Sequence, residues 1–158
     1  MTASTDPTRT SAPALDKNLD AACTAVTAEI ARTDGKASLL LAFNGALLAG
    51  LASVADKDLP VVAKVFGALA ASALGTAAML LLLVVRPRLG GDDRASFPYW
   101  ARLSDDEIRS CMESDTRAAR IRVLSVLAVH KFTYLRHAVD LSRAAVALLA
   151  LAAASLAL

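Results

Sequence analysis

The side chains best suited to chemistry are scattered along this chain. His130 and His137 stand seven residues apart. Neither has Asp, Glu or Cys four residues on, so a helical metal site would stop at two ligands. Cys23 and Cys111 each sit alone in a helical pattern. They read as small buried thiols, not as a disulfide framework or a metal site. Gly90-Gly91 follows no strand and reads as a linker, not a phosphate cradle. No Ser or Cys has a base beside it. The basic residues are not interleaved with aromatics as on a nucleic-acid platform. These gaps predict no enzyme activity, no cofactor, no metal and no nucleic acid polymer as partner. One polar residue stands out by its setting. Asn44 is the only strongly polar side chain in a long apolar run. A polar group in hydrocarbon is costly unless it faces other helices. Asn44 therefore either ties two helices together or lines and gates a pore.

The elements that would hold these residues are membrane helices. Ala37–Ala55 is 19 residues without a charge, and Val65–Val85 is 21. Crossing a hydrocarbon core of roughly 30 Å takes about 20 apolar residues as a helix. The link Asp56-Lys57-Asp58-Leu59-Pro60 allows only a tight turn. The pair therefore reads as an antiparallel membrane hairpin. A soluble pair would leave a domain of this size too little polar surface. Hydrophobic residues make up 56% of the chain and aromatics only 4%, so Ala and Leu supply the apolar mass. That balance favours helix over sheet. Small residues recur every fourth position, at Ala42, Ala46 and Gly50, then at Gly67, Ala71 and Gly75. Such stripes let backbones approach closely, within the hairpin or between copies of the chain.

The flanks are polar. Residues 1–13 offer almost nothing to bury and are expected to be disordered; residues 14–158 then form a single membrane domain. Leu15, Leu19, Cys23, Val26 and Ile30 fall at helical spacing, which predicts an amphipathic helix over about 15–34. Gly35 loosens or ends it. The second run stops at Arg86-Pro87-Arg88, and an aromatic cluster follows at Phe97-Pro98-Tyr99-Trp100. Ser104-Asp105-Asp106-Glu107 is a capping box. From there a long helix is expected to about 139, as one piece or two segments; the apolar stripe changes face near Asp115, which implies a bend or one helix contacting two partners. Ala144–Leu158 is apolar to the last residue. It predicts a third membrane helix over about 141–158, after runs at about 37–55 and 62–85. The fold class is all-α: an integral membrane hairpin, a third C-terminal apolar helix and cytosolic amphipathic helices.

Charge sets the expected orientation. Of 17 Lys and Arg residues, only Lys57 and Lys64 lie near the hairpin tip. The positive-inside rule puts both flanks, and the N-terminus, in the cytoplasm of a multi-pass inner-membrane protein. No apolar leader precedes Ala37, so the first membrane helix would serve as its own insertion signal.

The order of these segments resembles a known family. Thr33-Asp34-Gly35-Lys36-Ala37-Ser38-Leu39-Leu40-Leu41-Ala42-Phe43-Asn44-Gly45 resembles the entry motif of the small membrane effectors of Pycsar antiphage defence. So do the Arg86-Pro87-Arg88 exit and a long helix carrying Lys131-Phe132-Thr133-Tyr134-Leu135-Arg136. The resemblance covers about residues 15–158. It implies a bacterial inner-membrane protein activated by a cyclic pyrimidine nucleotide, which then impairs the membrane and aborts infection. A nucleotide phosphate needs cationic or backbone donors. On that implication Lys36, Arg86, Arg88 and Arg136 are the candidate ligand contacts, with headgroup anchoring as the plain alternative for each. Asn44, Gly67, Ala71 and Gly75 are the candidates for membrane packing or gating, in a homo-oligomer embedded in lipid. The competing function is a non-killing membrane anchor or scaffold subunit.

Overall fold

A computed structural model describes residues 7–86 and 96–156. It is all-α, with no strand among the described residues. The helices are α1 (Pro7–Val54), α2 (Val61–Val85), α3 (Phe97–Trp100), α4 (Asp105–Met112) and α5 (Arg117–Ala154). They form two compact units. The first takes Met1–Ala31 and Pro87–Val129; the second takes Arg32–Arg86 and His130–Leu158. Both α1 and α5 contribute to both units.

Helix ends follow local chemistry. Pro60 precedes α2, where its fixed φ and missing N–H cost nothing. Arg86 ends α2 at φ −56° and ψ 123°, the extended backbone that a residue before proline prefers. Ser104 opens α4. Its backbone N–H donates to Glu107 Oε2 at 2.8 Å, as the capping box predicts, and its hydroxyl lies 2.8 Å from the same oxygen.

Three expected boundaries are corrected. The amphipathic helix and the first membrane helix are one element, because α1 runs through Gly35 without a break. A glycine there costs about 1 kcal/mol, less than the packing of Thr33 and Ala37, both buried on either side of it. Of the one or two segments expected over 104–139 the structure has two, α4 and the start of α5, and α5 continues without a break into the C-terminal apolar segment that was expected as a separate helix. The break falls where the apolar stripe changes face. Ser114 Oγ donates to the Cys111 carbonyl, and Asp115 Oδ1 accepts from Arg117 N at 3.0 Å. These local bonds stop one helix and start the next. Lastly, α1 begins at Pro7, inside the segment expected to lack structure. Extending a formed helix needs propagation only, not a new nucleus. Residues 1–6 lie outside the described residues.

The second unit is a three-helix bundle built from α2 and the C-terminal parts of α1 and α5. Here α1 and α5 run parallel: Asp34 meets Lys131 and Asn44 meets Ser142, at sequence separations of 97 and 98. The buried face of α2 is Ala63, Ala70, Leu74, Ala77, Leu81 and Val84, which from Ala70 on alternates fours and threes and so keeps one seam facing its neighbours. Two apolar clusters result. One centres on Ala37, Leu81, Val84, Leu135 and Ala138; the other on Ala70, Leu74 and Ala145. Outward faces stay apolar, with Leu39, Val62, Leu69, Met79, Leu82 and Leu151 all exposed. Among the described residues three helices are long and apolar enough to cross a membrane, and such a surface suits lipid, not water.

The first unit differs in kind. None of its described residues is fully buried. Polar contacts between α1, α5 and the link before α5 hold it.

Candidate functional site

Two polar ties cross the second unit. Lys131 Nζ donates to both Asp34 carboxylate oxygens, at 2.6 and 2.8 Å. The Lys131 side chain is 13% exposed and that of Asp34 is 37% exposed. Fully paired and doubly hydrogen-bonded, this ammonium meets the condition under which a charge can leave water. About three helical turns further on, Ser142 Oγ lies 3.0 Å from Asn44 Oδ1, with both residues buried. Asn44 on α1 therefore meets a residue of α5. Its Nδ2 has no hydrogen-bond partner among the described residues.

The expected ligand contacts gather at one end of this unit. Lys36 adjoins Ala37, Arg86 lies two residues beyond Val84, and Arg136 adjoins Leu135; Ala37, Val84 and Leu135 belong to one cluster. All three cations are exposed. They form a rim around the bundle end, outside its core. Arg88 lies outside the described residues.

The small-residue stripe of α2 is not the seam of the bundle. Gly67 is half-buried, and a Cβ built there would lie 3.9 Å from Leu51 Cδ2. Ala71 is half-buried and Gly75 is exposed with nothing within 4 Å of an added Cβ. Of the two expected uses of the stripe, Gly75 does not serve packing within one chain. It sits on an outer face of the helix, because the seam follows Ala70, Leu74 and Ala77 instead.

In the first unit, Arg117 is the organising residue. Its guanidinium donates to carboxylates of Asp16, Asp20 and Asp115 and to the Asp16 carbonyl. Cys23 Sγ lies 3.9 Å from the Arg117 carbonyl. The side-chain bonds from Arg117, then its backbone N–H, hold the Asp115 carboxyl at about 2, below its usual 3.8. The same carboxylates, Asp115 first, push the Arg117 guanidinium further up. Glu107 is held below the usual carboxylate range by its bonds from Ser104. His130 and His137 are exposed, and no group of three or more metal-binding side chains exists among the described residues. Tyr99 and Trp100 are half-buried in the first unit.

Comparison with known proteins adds one decisive match. The family model described as the Pycsar effector protein domain, PycTM, matches residues 18–158. The chain belongs to the Pycsar effector family. It is a membrane protein and an effector of cyclic-nucleotide antiphage defence. No curated protein and no solved structure matches it.

For this Pycsar effector, three of the four tie residues fall within the segments that carry the resemblance. Asp34 and Asn44 lie in the entry segment and Lys131 in the segment on the long helix. The sequence reading named Asn44 and missed Asp34, Lys131 and Ser142. A carboxylate at the mouth of one apolar run and an ammonium within the stripe of another were visible signals. Their pairing needed the parallel register of α1 and α5.

Proposed function

We propose that this effector responds to a cyclic pyrimidine nucleotide by impairing the bacterial inner membrane, so that the infected cell dies or arrests. The rim of Lys36, Arg86 and Arg136 carries the reading. The hairpin tip at the other end of the bundle balances Asp56 and Asp58 against Lys57 and Lys64, so net positive charge lies at the rim. That asymmetry supports a cytoplasmic rim and N-terminus. Exposed guanidinium and ammonium groups there suit a phosphodiester. The outer faces of the bundle suit lipid, and the exposed flank at Gly75 suits a second copy.

The test is co-expression with a pyrimidine nucleotide cyclase while membrane potential is followed. Collapse of the potential only when cyclase and effector are both present is the expected result. An unchanged potential, with nucleotide and protein both verified, overturns the reading. Replacing Lys36, Arg86 and Arg136 together with Gln should raise the nucleotide level needed for collapse.

A further inference from the structure

Asn44 and Ser142 form a polar layer between the two apolar clusters of the second unit. On α1, Ala37, Leu40 and Leu41 precede Asn44, and Leu47, Leu48 and Leu51 follow it. On α5, Ala138 and Leu141 precede Ser142, and Ala145 follows.

The hydrogen bonds of this layer do not close. Ser142 Oγ lies 2.9 Å from the Ala138 carbonyl and 3.0 Å from Asn44 Oδ1. A hydroxyl has one proton, so it satisfies one of these acceptors. Asn44 Nδ2 carries two more protons and has no acceptor among the described residues, although the residue is 0% exposed. Turning the amide over lets Nδ2 donate to Ser142 Oγ while the hydroxyl donates to Ala138. It then leaves Oδ1 without a donor. In either orientation one amide atom is unmatched within an apolar bundle, where the penalty is largest.

We infer that this layer binds water in the middle of the span, and that its water is the first link of the path by which the membrane becomes permeable. The second clause rests on the proposed function; the first does not. Water suits both orientations of the amide, because it donates and accepts. A cation would meet N–H protons in one orientation, and an anion would meet the amide oxygen in the other. A buried water requires roughly two to four polar contacts. The amide and Ser142 Oγ provide two, and the second lone pair of the Ala138 carbonyl adds a third when the hydroxyl donates to Asn44 instead. The layers on either side are Ala and Leu, so the site stays isolated until the helices part.

The chain has two asparagines, Asn18 and Asn44, and Asn18 is exposed. Nitrogen-15 labelling of asparagine therefore reports two side-chain amides, one of them a wet internal reference. The full chain in phosphatidylcholine–phosphatidylglycerol nanodiscs should show magnetisation passing from water to the Asn44 amide as well as to Asn18. Asn44→Leu identifies the signal by removing it. Transfer to Asn18 alone overturns the water site. In dye-loaded vesicles of the same lipids, cyclic UMP or cyclic CMP should release dye through the wild-type chain. Asn44→Leu should slow release about tenfold, or about 1.4 kcal/mol of barrier. Release from Asn44→Leu at the wild-type rate overturns the permeation role. If the wild-type chain releases no dye, the proposed function and the permeation role fall together, and the water transfer still decides the site. Ser142→Ala serves if Asn44→Leu does not reconstitute. It removes one contact of the water and should weaken both signals; unchanged values in both overturn the inference.

Discussion

Separating the two halves of the Asp34–Lys131 pair should have unequal consequences. Lys131 keeps 13% of its side chain exposed and Asp34 keeps 37%. Lys131→Met deletes the ammonium but retains the apolar stem, and leaves a carboxylate that water can still reach. The loss is then that of one charge-assisted contact with partial rehydration, about 1–2 kcal/mol. Asp34→Asn leaves the more buried ammonium against a neutral amide, which sits between the cost of an exposed pair and that of a stranded buried charge, about 2–3 kcal/mol. The double variant removes both charges, so its cost should fall below the sum of the singles by about 1–2 kcal/mol. Unfolding in mixed detergent micelles, followed by far-ultraviolet circular dichroism, measures all four corners of the cycle. Asp34→Asn costing no more than Lys131→Met, or strict additivity, would refute the argument from unequal burial.

Four further outcomes follow from the same structure. Gly35→Ala should stabilise α1 by about 0.5–1 kcal/mol, since nothing lies within 4 Å of the added Cβ; thermal melting checks the sign. The Asp115 carboxyl is lowered from 3.8 to about 2. Its contribution to the first unit is therefore complete above pH 3.8 and lost as pH falls toward about 2, which acid titration of the single Trp100 fluorescence should show and Asp115→Asn should abolish. Arg117→Leu leaves Asp16, Asp20 and Asp115 without their shared cation and should speed proteolysis of the first unit while the second stays resistant. Gly67→Leu should destabilise the bundle, because it meets Leu51, whereas Gly75→Leu should leave the fold intact and reduce crosslinking between copies.

Much of this architecture was legible before folding. Charge-free runs ending at Asp56, resuming after Lys64 and stopping at Arg86-Pro87 located the hairpin, because the length of a membrane crossing is a one-dimensional property. The capping box at Ser104 was legible for the same reason: both partners lie within one helical turn. Gly35 misled, since an open glycine breaks a helix only when its surroundings do not hold it. Here Thr33 and Ala37 are buried to either side. The phase change near Asp115 did mark a true break, because the bonds that make it join residues two or three apart.

The amino-acid order by itself determined the helical class, the charge-free membrane runs, the capping box and the asymmetry of charge. Each depends on residues within a few turns of one another. Only the tertiary structure decided which polar groups meet. Asp34 with Lys131, Asn44 with Ser142 and Arg117 with Asp16 and Asp20 are separated by 97 to 101 residues. Their pairing depends on α1 and α5 lying side by side, and packing, not local spacing, sets that register.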